Sequence, residues 1–162
     1  MLIAFYNPGL HVRLMHLPGE TTDHVGVWIP SMGAFLCGDN LYKSLPNLYA
    51  IRGTPYRNVL HWVKSLDKIR QLQPEYLLMS HSRPLEGQAH VSEVLTVYRD
   101  MIQVIHGQTL RLLNKGAHPN EIAEQITIPR VLLEHPYLQE FYGTSEWSAK
   151  AIIDGYVDLF YL

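Results

Sequence analysis

A change of hydrophobic period at "SRPLEG", Ser82–Gly87, constrains the fold of this chain more than any other feature. Before it, short apolar runs bounded by turn residues alternate with one helical stretch; after it, every apolar pattern has helical spacing. That order predicts an α/β chain with its strands in residues 1–86 and a helical second part in residues 87–162.

In the first part, "LHVRLMHL" (Leu10–Leu17), "VGVWI" (Val25–Ile29) and "AFLCG" (Ala34–Gly38) read as strands, the last two joined through "PSMG" as a hairpin. A loop rich in Asn, Pro and Gly follows. A helix then starts at about Tyr56, with Val59, Leu60, Val63, Leu66, Ile69 and Leu72 on one face. Pro74 stops it, and "YLLMS" (Tyr76–Ser80) is a compact run suited to a central strand. In the second part, Val91, Val94, Leu95, Tyr98, Ile102, Ile105 and Leu112 mark a long helix over Gln88–Asn114, ended at Gly116. Another helix opens with Pro119. A last one, over Ser145–Phe160, offers Trp147, Ala151, Ile152, Tyr156 and Leu159 as its buried face.

With 47% hydrophobic and 17% charged residues, the 162-residue chain can bury a sizeable core. A formal charge of -2 and scattered Lys and Arg residues argue against a nucleic-acid partner. The single cysteine, Cys37, leaves no internal disulfide, and its apolar neighbours suit a buried thiol rather than a nucleophile. No stretch reaches membrane-spanning length, and the N-terminus lacks the basic segment of a signal peptide, so the compartment stays open.

Three residues of metal-ligand type follow strand ends. Glu20 comes after the first strand across a Pro-Gly turn, Asp39 directly after "AFLCG", and His81 directly after "YLLMS". If those ends share one sheet edge, the carboxylates and the imidazole converge on a site suited to zinc, manganese or iron. Each also has an ordinary reading: a solvated corner for Glu20, an Asx turn backed by Asn40 for Asp39, a turn cap for His81. His16, His24 and His61 read as structural. Tyr42, Tyr49 and Tyr56 either line a channel or pack over the core.

Taken together, "LPGETTDHVGVWIP", "FLCGDNLY", "PNLYAIRGTPYRNVLHWVKSLD" and "YLLMSHSRPLEG" resemble the alkyl sulfatase branch of the metallo-β-lactamase superfamily. "LTVYRDMIQVIHGQTLRLLNKGAHPNEIAEQI" and "HPYLQEFYGTSEWSAKAIIDGYVDLF" look like the helical dimerisation region of that family. The resemblance implies a partial αββα sandwich, with residues 1–86 as the second half of the catalytic domain and residues 87–162 as the dimerisation-type region. It implies a zinc-dependent hydrolase that splits alkyl sulfate esters into alcohol and sulfate, two zinc ions per complete site, and a homodimer.

By the same resemblance Glu20 stands where the superfamily usually has a histidine ligand, Asp39 at the bridging carboxylate, and His81 at the last histidine ligand. Asn47 and Arg52 are implied sulfate contacts. Thr21, beside Glu20, and Tyr142, in "EFYGT", are further candidates for substrate contact. The family's first metal motif, His-x-His-x-Asp-His, has no counterpart among the nine histidines, and these 162 residues are not expected to include the sterol-carrier-like domain that often ends such enzymes. The expectation is therefore one part of such an enzyme, inactive by itself. Its rival is a non-catalytic assembly protein that keeps the dimerisation helices.

Overall fold

The structure, a computed structural model, describes residues 2–7, 9–49 and 56–157. In chain order its elements are β1 (Leu2–Asn7), β2 (Leu10–His16), β3 (Val25–Ile29), β4 (Ala34–Gly38), α1 (Val59–Gln71), β5 (Tyr76–Met79), β6 (Leu85–Glu86), α2 (Gln88–Asn114), α3 (Pro119–Gln125), α4 (Arg130–Leu133) and α5 (Ser145–Val157). The strands form one six-stranded sheet in sequence order.

β1 to β4 are an antiparallel meander; β5 joins β4 in parallel, and β6 closes the sheet antiparallel to β5. The β3–β4 hairpin turns through Pro30–Met32, and Gly33 takes the left-handed backbone (φ 58°) that closes such a turn. Parallel pairing of β4 and β5 needs a long crossover, and α1 lies within it. α1 starts at Val59 rather than near Tyr56 because the Asn58 side chain caps it, accepting from the His61 N–H at 3.1 Å.

β1 was not legible as a strand. Its six residues pair along their whole length with β2, Leu2 opposite Met15 through Asn7 opposite Leu10, so a partner rather than a local pattern defines it.

One face of the sheet carries Trp28, Phe35 and Leu77, which are neighbours in register, and packs against α1 (Trp62, Leu66, Ile69) and α2 (Val91, Leu95, Tyr98, Ile102) in one continuous core. That core runs across the boundary between residues 86 and 87. The opposite face bears Leu14, Val27, Leu36 and Leu78 in a single cross-strand row. It stays open: Val25 is 49% exposed, Leu36 36% and Tyr76 41%.

α5 corrects the expected face. Trp147 and Tyr156 are exposed, and Ser148, Ala149, Ile152 and Ile153 turn inward. The indole lies on the surface against the Tyr49 ring and beneath the Lys150 ammonium, while the Tyr156 hydroxyl meets His106. Leu159 lies outside the described residues.

Candidate functional site

Strand direction decides where the three ligand-type residues go. β2 and β4 each run antiparallel to β3, and β4 runs parallel to β5, so all three strands point the same way and end at one sheet edge. Glu20, Asp39 and His81 follow those ends and line one cavity of about 420 Å³ with Tyr42, Lys43, Ser44, Ser82 and Tyr142.

Glu20 is held by a tight turn. Gly19 is buried against Asn40, and a Cβ there would come within 2.1 Å of the Asn40 Oδ1, so only glycine lets the turn sit this close. The buried Asn40 side chain donates to the Leu17 carbonyl at 2.7 Å and accepts from the Glu20 N–H at 3.2 Å. The Asn40 main-chain carbonyl accepts from the Trp62 indole at 3.0 Å, and the Ser65 hydroxyl donates to the Pro18 carbonyl at 2.7 Å. Both donors come from α1, which thereby fixes the turn against the core.

Asp39 follows Gly38, which has a left-handed backbone (φ 57°) and packs so closely on the His24 ring that an added Cβ would come within 2.8 Å of it. His24 bonds the Cys37 carbonyl at 2.8 Å, and His16 bonds the Thr22 carbonyl at 2.8 Å; both hold turns in place. His61 is an exposed residue of α1. Asp39 Oδ1 meets His81 Nδ1 at 2.6 Å, the close approach that parallel β4 and β5 make natural. The imidazole is well exposed, so its second nitrogen is accessible.

The charges in this cavity act on one another. Burial raises the Glu20 carboxyl above the usual carboxylate range, Arg57 opposes the rise, and the Asp39 carboxylate adds to it. Arg57 was not singled out from the sequence. Its Nη2 donates to Glu20 Oε1 at 3.2 Å and its Nη1 to the Asn47 carbonyl. The only local signal was an arginine one residue ahead of a helix cap.

The remaining candidates scatter. Tyr142 lines the cavity and packs edge-on against Tyr42. Asn47 is buried behind it, its N–H donating to the Tyr42 hydroxyl at 2.8 Å and its Oδ1 accepting from the Tyr49 N–H at 3.1 Å. Thr21 is exposed and does not line the cavity. Arg52 lies outside the described residues.

The donor chemistry fits a metal ion only as a share of a site. Two carboxylates and an imidazole are hard and borderline donors on one cavity wall, yet among the described residues no three His, Cys, Asp or Glu side chains gather as a metal-holding group.

Comparison with known proteins points the same way. The family model for alkyl sulfatase dimerisation matches residues 118–161. A linear primary-alkylsulfatase from a Pseudomonas species is 38% identical over 154 residues, covering 94% of this chain and 29% of that protein. An alkyl/aryl-sulfatase from Saccharomyces cerevisiae is 32% identical over 86% of this chain and 22% of its own length. The solved sec-alkylsulfatase Pisa1 from Pseudomonas superposes with a TM-score of 0.89 at 24% identity, over 98% of this chain and 26% of that one. A metallo-β-lactamase family protein from Thermus thermophilus shares the fold with a TM-score of 0.62 at 18% identity, over 96% of this chain and 47% of that one. The chain spans less than a third of the length of the curated relatives above. In sequence the chain is related to alkylsulfatases over most of its length, and its fold is that of the metallo-β-lactamase proteins on which it superposes.

Proposed function

We propose that this chain is the part of a zinc-dependent alkyl sulfate ester hydrolase that supplies Glu20, Asp39 and His81 to its metal centre. The observation that carries the reading is the single cavity shared by these three side chains, in a chain related to alkylsulfatases along most of its length. The rest of the ligand set comes from outside these 162 residues, since no His-x-His-x-Asp-His motif lies within them. Residues 1–86 are the second half of the catalytic domain, and residues 87–162 are the dimerisation-type region of a homodimer.

A bound metal pair would supply a water nucleophile at neutral pH and stabilise charge on the sulfate ester. The chain's own residues orient and enclose. Asp39 keeps one His81 nitrogen, leaving the other toward solvent. Arg52 is assigned to the sulfate group, Asn47 and Thr21, which do not line the cavity, to the loop and the turn beside it, and Tyr142 borders the space for the ester from the helical side. The planar fork of an arginine suits a sulfate better than a lysine ammonium.

The open sheet face also supports the reading. A row of apolar side chains left toward solvent is what half of a two-sheet sandwich presents.

Sulfate release from dodecyl sulfate tests this. The 162-residue chain alone is expected to be inactive, whereas the chain joined to an upstream alkylsulfatase half bearing the missing motif is expected to turn over, with a loss of about 100-fold or more in Glu20→Ala. Chelator-sensitive turnover by the chain alone, or a joined enzyme indifferent to Glu20→Ala, would overturn it.

A further inference from the structure

We propose that Arg57 is the positioning residue for Glu20, fixing one carboxylate oxygen so that the other is left to the cavity. The inference rests on the reading of Glu20 as a ligand and adds a residue that this reading did not contain. Arg57 reaches two separate partners with the two ends of its guanidinium: Nη2 meets Glu20 Oε1 at 3.2 Å, and Nη1 donates to the main-chain oxygen of Asn47. The pair is poorly solvated, at 15% exposure for Arg57 and 17% for Glu20. At that exposure a guanidinium loses little of its hold to competing water, and a carboxylate deprived of it is left uncompensated.

The base of the arm is rigid. Arg57 directly precedes Asn58, which caps α1, and α1 is anchored by the buried Val59, Trp62 and Leu66. Its second target is rigid too, because Asn47 is tied to Tyr42 and Tyr49 by its N–H and its side-chain oxygen. The guanidinium therefore spans two fixed points, and a flexible Glu20 side chain between them has one orientation. With Arg57 on Oε1, Oε2 is the oxygen that Glu20 would offer to a metal. Lysine cannot do the same, since one ammonium does not keep both contacts in a planar fork. Partners that orient a metal ligand typically contribute about 10–100-fold to metal affinity.

The test is equilibrium Zn²⁺ titration of the chain joined to an upstream alkylsulfatase half bearing the His-x-His-x-Asp-His motif, in the parent, Glu20→Ala, Arg57→Gln, Arg57→Lys and the Glu20→Ala/Arg57→Gln pair. Arg57→Gln is expected to weaken Zn²⁺ binding by about 10-fold or more and Arg57→Lys by several-fold, with no further loss in the double variant beyond Glu20→Ala alone. Thermal unfolding checks that each variant folds; if Arg57→Gln does not, Arg57→Lys in the two backgrounds carries the comparison. A loss of the same size with and without Glu20 would make Arg57 merely structural, and unchanged affinity in both arginine variants would remove it from the site. A joined protein whose Zn²⁺ affinity ignores Glu20→Ala overturns the ligand assignment itself, which is a different signature.

Discussion

Cys37 sits at the centre of the sheet, fully buried between β3 and β5, with burial pushing its thiol up to about 12. The thiolate is the reactive form, so the native chain should leave a thiol reagent such as DTNB unreacted over hours and consume one equivalent only on unfolding. Rapid labelling of the native chain would contradict the packing. A second residue titrates in a useful range. His106 on α2 is buried, and that burial lowers its pKa below the ordinary 6.5. The unfolded chain then binds the proton more readily than the folded one, so the stability that neutral His106 contributes is present above about 6.5 and is lost as the pH falls through the folded pKa. His106→Gln, neutral at every pH, should flatten the fall in unfolding free energy between about pH 7 and about pH 5 relative to the parent. An identical pH slope in both proteins would show that the ring charges freely where it stands.

At the scale of elements, two connections set the cavity. Asn40 ties the β2–β3 turn to the segment after β4, and truncating it to alanine strands the Leu17 carbonyl and the Glu20 N–H in the interior. Asn40→Ala should cost about 1–3 kcal/mol in denaturant unfolding. The second connection joins the halves of the chain: the Leu45 N–H donates to the Gln139 carbonyl at 2.9 Å, the Gly143 N–H to the Leu45 carbonyl at 3.1 Å, and the Ser44 hydroxyl to the Gln139 carbonyl at 3.0 Å. These bonds put Tyr142 on the cavity wall. A Cβ on Gly143 would come within 2.2 Å of the Pro46 carbonyl oxygen, a backbone atom that cannot step aside. Gly143→Ala should therefore cost about 1–3 kcal/mol and speed amide exchange at Leu45, while exchange in the α2 interior stays slow. Equal protection at Leu45 in both proteins would mean the loop absorbs the methyl.

These connections explain why part of the site was legible and part was not. Glu20, Asp39 and His81 stand out because each abuts a strand whose own pattern of apolar residues is visible. Arg57 and Asn40 do not, because their roles consist of bonds to residues 37 and 20 positions away. Trp147 misled for a related reason. Helical spacing alone gave it to the buried face, whereas an aromatic partner on the surface, Tyr49, and a lysine one turn on keep it outside.

For the molecule as a whole, the open sheet face is the property with a direct readout. The row through Leu14, Val27, Leu36 and Leu78 should bind a hydrophobic dye in the native chain, and Val25→Lys with Leu36→Lys should abolish most of that signal without changing helix content. Dye binding that survives both substitutions would locate the apolar surface elsewhere. What the sequence by itself determined is whatever rests on local period: β3, β4 and α2 have the bounds that alternation and helical spacing predict, and the ligand-type residues follow strand ends. What only the tertiary structure decided is direction and pairing. That β1 is a strand, that β2, β4 and β5 point the same way so that three distant residues share one cavity, and that one sheet face is covered by α1 and α2 while the other stays open all depend on contacts between residues far apart in the chain, which hydrophobic period along one segment does not encode.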